Sequence, residues 1–130
     1  MSTINFANIR ITSGFYYLAT PYSQWPDGID DAAKRASIIA AHLIARGLAV
    51  FSPIVHAHAI AINGNLDPLR HDLWLPLDKE IGAAAHGLIV AGIEGWETSH
   101  GIEEELKWFR ARNKPRYLLN TKDLTFAQLT

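Results

Sequence analysis

Short apolar runs alternate along the chain with longer segments whose apolar residues recur every three or four positions. That alternation predicts strands interleaved with helices. Phe15-Tyr16-Tyr17-Leu18-Ala19-Thr20 is aromatic-rich, follows Ser13-Gly14 and stops at Pro21, so it predicts a buried strand. Pro21 to Gly28 holds two prolines, a serine and a glycine and reads as a loop. Asp30 and Asp31 then open a helix running to about Arg46, in which Ile29, Ala32, Ala36, Ile39, Ala40 and Leu43 keep the helical period and Gly47 supplies the stop. Leu48 to Phe51 predicts a second strand, ended by Pro53. Val55 to Ile62 predicts one or two helical turns, Asn63-Gly64-Asn65 a turn, and Leu66 to Ala84 a further helix with an indistinct start. Gly87 to Ala91 predicts the third strand, Gly101 to Asn113 a helix, Pro115 to Leu119 the fourth strand, and Leu124 to Leu129 a short amphipathic tail.

Strands alternating with helices argue for an α/β fold, with a parallel sheet of four to five strands covered on both faces. Ligands of such sheets bind beyond the carboxyl ends of the strands. Thr20-Pro21-Tyr22-Ser23, Ser52 to His58 and Gly92 to Ser99 all follow predicted strands, so three loops are expected to converge on one rim.

The 130 residues suit one domain, with residues 1–13 read as an N-terminal extension. A formal net charge of -1 gives no electrostatic footprint for a nucleic-acid polymer or an anionic membrane. With no cysteine there is no disulfide, thiolate nucleophile or cysteine zinc site, which fits a reducing compartment. Met1 to Ser13 lacks the pattern of a signal peptide, and no apolar run approaches the roughly 20 residues of a membrane span. A cytoplasmic protein is expected.

Chemistry concentrates at Gly95-Trp96-Glu97-Thr98-Ser99-His100-Gly101-Ile102-Glu103-Glu104-Glu105, where a strand-end loop opens a helix. A helix start offers unpaired N–H groups and a partial positive charge to an anion. Ile102, Leu106, Phe109 and Asn113 line one stripe of that helix; Glu104 lies nearly opposite, and Glu103 sits to one side with Lys107 four residues on. Glu105 flanks the apolar stripe and is the acid expected to face a cleft, although an acidic first turn also stabilises a helix by itself. Ser99 suits either an anion contact or a helix cap. Asp78 follows the apolar run Leu73 to Leu77, which suits a carboxyl of raised pKa or a surface residue. Tyr17 reads as a core aromatic unless the strand end opens into the cleft. Trp96 suits a base-stacking wall or a loop anchor, and His86 a structural role. His56 and His58 would need a third ligand such as His71 or Asp72 to hold a metal, and no zinc spacing is present, so no metal is expected.

Four blocks in order resemble the nucleoside 2-deoxyribosyltransferase-like superfamily, in particular a small bacterial and phage branch of it. They are Tyr17 to Ser23, Phe51 to His58, Leu73 to Asp78 and Gly95 to Glu105. The resemblance implies a flavodoxin-like three-layer sandwich that cleaves or exchanges the N-glycosidic bond of a nucleoside or nucleotide, without a cofactor, as a homodimer or larger homo-oligomer. It implies Glu105 as nucleophile, six residues after the junction residue Ser99 and with Gly101 between them. Asp78 is implied beside the leaving base, and Tyr17 as the residue orienting Glu105. Thr20, Pro21, Tyr22, Ser23, His56 and Trp96 are implied around the substrate, and Asn120 as a contribution to a neighbouring subunit. Relatives with Ser at the junction take nucleoside 5′-monophosphates, whereas those with Asp take nucleosides and exchange bases; a pocket that senses nucleotides without turnover is a further expectation. The first loop lacks the arginine usual in the nucleotide hydrolases, and His86 stands where relatives often carry Asp.

Overall fold

Every residue of Gly87-Leu88-Ile89-Val90-Ala91 is buried, as expected of a strand covered on both faces. In the computed structural model, which describes residues 2–130, this strand is the centre of a five-stranded sheet. The strands are β1 (Tyr16–Ala19), β2 (Val50–Phe51), β3 (Gly87–Ala91), β4 (Arg116–Asn120) and β5 (Thr125–Gln128). The helices are α1 (Phe6–Ile9), α2 (Ile29–Ala45), α3 (Pro53–Gly64), α4 (His71–Ala84) and α5 (His100–Ala111). The sheet order β2-β1-β3-β4-β5 places the topological switch between β1 and β3. The first four strands are parallel and β5 is antiparallel to β4, which makes this a flavodoxin-like α/β sandwich with an antiparallel edge.

Strand alternation divides the core. Tyr16, Leu18, Ile89 and Leu119 point to one face, where Ile39 and Leu43 of α2 and Phe126 of β5 cover them. Tyr17, Leu88 and Val90 point to the other, against Ala85 and against Ile102 and Phe109 of α5. Gly87 permits the tight β3–β4 spacing: a Cβ there would stand 2.9 Å from the Pro115 carbonyl oxygen.

Four features differ from the sequence pattern. The turns expected over residues 55–62 are a helix of 12 residues, because Ser52 Oγ accepts the Val55 N–H at 3.2 Å and Pro53 supplies a pre-set first position. That helix absorbs Asn63 and Gly64 and ends at Asn65, whose φ of 58° is left-handed. The next helix begins at His71 rather than near residue 66; Pro68 disfavours a helical residue before it, and Asp67 Oδ1 instead accepts the Leu69 N–H at 2.9 Å. The amphipathic tail is β5, with Phe126 inward, and the N-terminal segment pairs with it. Ile4 N–H donates to the Phe126 carbonyl at 2.6 Å and the Phe126 N–H returns a bond to Ile4 at 2.9 Å. That pairing covers part of the β5 edge, and Ile9 of α1 is buried in the same cluster.

Helix α4 is the least buried of the long helices, with Gly82 as its one buried residue. Its C-terminus is held by Lys114, whose ammonium donates to the carbonyls of Gly82, Ala83 and Ala85 at 3.3, 2.7 and 2.6 Å. A cation there completes orphan carbonyls and opposes the negative end of the helix dipole. Lys114→Met is expected to lower stability by about 1–2 kcal/mol, read as a reduced urea midpoint at unchanged slope; an unchanged midpoint would dismiss the clamp.

Candidate active site

Helix α5 starts after a short 3-10 turn, Trp96–Thr98, and Ser99 caps it by accepting the Ile102 N–H on Oγ at 3.3 Å. The first-turn N–H groups of His100 and Gly101 have no acceptor within the helix and lie at its positive end. Gly101 lets a ligand approach this turn closely, since the nearest atom to a Cβ built there is Ser99 Oγ at 3.9 Å. One helical turn later Glu105 reaches back under β1. The Tyr17 hydroxyl donates to Glu105 Oε2, joining residues 88 positions apart.

A cleft of about 340 Å³ opens here, beyond the carboxyl ends of β1 and β3. Thr20, Tyr22 and Ser23 enter it from the first loop, Ser99, Gly101 and Glu105 from α5, and Asp78 from α4. Tyr17 lies behind Glu105 and is fully buried. Thr20 Oγ1 and Asp78 Oδ1 are buried without a hydrogen-bond partner, in a cleft where a polar ligand would satisfy both.

The environment perturbs both carboxyls. Burial pushes Glu105 up to about 8, against a lowering by the Tyr17 hydrogen bond, and the charge of Asp78 raises it further. Burial pushes Asp78 up to about 6, with His71 pulling the other way. Tyr17 is raised far above its ordinary range by burial and then by Glu105 and Asp78, so it stays a hydroxyl donor. Tyr22 is pushed up to about 12 by burial and by Asp30. Two carboxyls of raised pKa in one cleft are suited to acid–base or nucleophilic chemistry.

Three residues expected at the substrate stand elsewhere. Pro21 is buried in the loop. His56 is exposed and packs on Phe51, with ring centroids 5.2 Å apart. Trp96 packs against the core cluster beneath α5 and borders a separate hollow near Asn120, not the Glu105 cleft. Asn120 itself closes the β4–β5 turn, its Oδ1 accepting the Lys122 N–H at 2.9 Å. Glu103 and Glu104 both face Lys107, at 3.5 and 3.3 Å, yet Glu104 is half-buried and also lines the cleft, contrary to its expected solvent position.

The histidine of α3 that lines the cleft is His58, not His56. Pro53, Ile54, Ala57 and His58 of α3 share the cleft-facing side, and His56 falls between its turns. That spacing was present in the sequence and became readable only with a helix starting at Pro53. Trp74 and Leu75 of α4 and Trp108 of α5 complete the apolar wall.

The architecture is thus a flavodoxin-like domain with a carboxylate-bearing cleft at its switch point. The chain belongs to the family described as a domain of unknown function (DUF1937), whose model matches residues 14–121. No curated protein matches it in sequence. No helix among the described residues is long and apolar enough to cross a membrane, and no group of three or more acidic or histidine residues among them is placed to hold a metal ion.

The folded protein holds the Glu105 proton more tightly than the unfolded chain, where Glu titrates near its ordinary 4.5. The folded state therefore binds more protons between about 4.5 and about 8, and stability falls as pH rises through that window. Glu105→Gln keeps an acceptor for Tyr17 and removes the charge. It is expected to raise the melting temperature by on the order of 5–10 °C at pH 8, with the gain shrinking towards pH 5. Equal melting temperatures at both pH values would show that Glu105 is not charged against its surroundings.

Proposed function

We propose that this protein is an N-glycosidase that hydrolyses the base–sugar bond of a nucleoside 5′-monophosphate through a covalent glycosyl-enzyme intermediate, as the resemblance to nucleoside 2-deoxyribosyltransferases implies. The observation that carries the reading is the Tyr17 hydroxyl bonded to the Glu105 carboxyl, with Asp78 in the same cleft. A Glu105 oxygen attacks the anomeric carbon, the bond to the base nitrogen breaks with its electron pair on the base, and the Asp78 carboxyl delivers the proton. Water then attacks the anomeric carbon, gives its proton to the Asp78 carboxylate and releases Glu105 as a carboxylate, which restores the starting form. Tyr17 holds the attacking carboxylate in line and favours its ionised form. Ser99 and the first-turn N–H groups of α5 receive the sugar's 5′ end. The chemistry asks for no cofactor, and the homo-oligomeric state implied by the resemblance belongs to the same proposal.

The reactive form carries one proton, on Asp78, with Glu105 ionised. In the empty cleft the proton favours Glu105, and the positive charge developing on the sugar reverses that preference. A second reading is favoured by the absence of lysine and arginine from the cleft lining among the described residues. A nucleoside with an uncharged 5′-hydroxyl needs no cation, and a second base then takes the sugar from Glu105.

Base release from a panel of nucleoside monophosphates and deoxynucleosides separates the readings, since exchange requires faster product formation when a free acceptor base is added. Glu105→Ala is expected to lose on the order of 10³-fold or more in rate; release that survives it would sink the nucleophile assignment. In the wild type, kcat/KM is expected to be bell-shaped, with limbs near about 6 and about 8 belonging to the Asp78–Glu105 pair. Asp78→Asn removes the group that must stay protonated, so the alkaline limb should vanish at reduced rate. A profile unchanged by Asp78→Asn would remove Asp78 from the acid role.

A further inference from the structure

The cleft also carries a polar chain that none of these steps uses: Asp30, His58 and Tyr22 in series. Asp30 Oδ1 lies 2.9 Å from His58 Nε2, and His58 Nδ1 lies 2.6 Å from the Tyr22 hydroxyl. The His58 side chain is 13% exposed, and its ring stands nearly perpendicular to Tyr22 with centroids 5.7 Å apart. An ionised carboxylate only accepts, so the hydrogen on His58 belongs on Nε2, facing Asp30. In a neutral imidazole the other nitrogen is then bare, and Nδ1 accepts the Tyr22 O–H. That bond uses up the only hydrogen of the Tyr22 hydroxyl, and its oxygen offers the cleft lone pairs alone.

The surroundings indicate what meets those lone pairs. Pro53, Ile54 and Ala57 of α3 and Trp74 and Leu75 of α4 give the cleft apolar walls, suited to the faces of a planar heterocycle. We infer that Tyr22, oriented by the Asp30–His58 pair, is an acceptor-only station that selects a base bearing an exocyclic amino group over its keto counterpart. The inference rests on the nucleotide reading of the cleft, not on turnover. An amino group donates to the Tyr22 oxygen. A carbonyl in the same place sets lone pairs against lone pairs and leaves both acceptors unpaired, the kind of mismatch that discriminates strongly between ligands.

The chain of bonds is tested without any ligand. Nitrogen-15 NMR of the wild type at about pH 8, where imidazole is ordinarily neutral, is expected to show His58 with its hydrogen on Nε2. The His58→Gln spectrum identifies the resonances, and Asp30→Ala is expected to give a mixture of the two tautomers. A hydrogen on Nδ1 in the wild type overturns the inference. Selection is tested by calorimetry on Glu105→Gln, which binds without turnover, using adenosine against inosine 5′-monophosphate and cytidine against uridine 5′-monophosphate. The amino member of at least one pair is expected to bind at least about tenfold more tightly, with Tyr22→Phe bringing that pair within about twofold. Equal affinities within both pairs, or tighter binding of the keto member, overturn it. Binding of none of the four sinks the nucleotide reading and the base assignment together. An amino preference that persists in a wild-type protein releasing no base leaves this inference standing and removes the glycosidase.

Discussion

The hydrogen bond between Tyr17 and Glu105 is the constraint on which the rest of the site depends. Tyr17 sits on the second strand face, fully buried, and its ring meets Phe109 edge-on at 5.5 Å, while its hydroxyl ends on the first turns of α5. Core packing thus holds the donor rigid, and the donor fixes the carboxyl. An acid buried at this depth is costly unless it is bonded or protonated. The molecule accepts that cost where a strand end, a helix start and a cleft coincide. Such a conflict between stability and local chemistry is typical of functional positions.

Asp78 reaches the same cleft by a different route. It stands on α4, a helix with little buried surface that owes its seat partly to Lys114 at its C-terminus and to Trp74, whose indole N–H donates to the Asp67 carbonyl at 2.9 Å. One carboxyl is therefore anchored in the core and the other on a lightly held wall. The Asp30–His58–Tyr22 chain ties the first loop to α3 across the cleft mouth, although Asp30 remains largely in solvent, with its side chain 88% exposed.

Much of the fold was legible. A short uninterrupted apolar run such as Gly87 to Ala91, opened by a glycine and too short for a helix, reads as a strand buried on both faces, and the stripe of Ile39 and Leu43 on α2 was plain from its period. What was not legible came from local bonds that override pattern. Ser52 and Pro53 lengthened α3, Pro68 delayed α4, and antiparallel pairing with β4 turned an amphipathic tail into a strand. The site was readable where helical angle decides the outcome, as for Glu105 beside the Ile102 stripe. It failed where a loop chooses which side chain turns inward, as for Trp96, and where the unforeseen start of α3 at Pro53 sets the helical phase that turns His58 rather than His56 to the cleft.

By itself the sequence determined the layering, the strand that carries Tyr17, and the acid of the triplet that faces inward, because burial patterns with periods of 2 and 3.6 are local properties of the chain. The family resemblance implied Tyr17 and Asp78 near Glu105, and only the tertiary structure shows the contacts themselves: Tyr17 bonded to Glu105, Asp78 in the Glu105 cleft, and His58 bonded to both Asp30 and Tyr22. Those contacts join residues far apart in sequence. Their geometry follows from how strands and helices pack, and no local pattern encodes it.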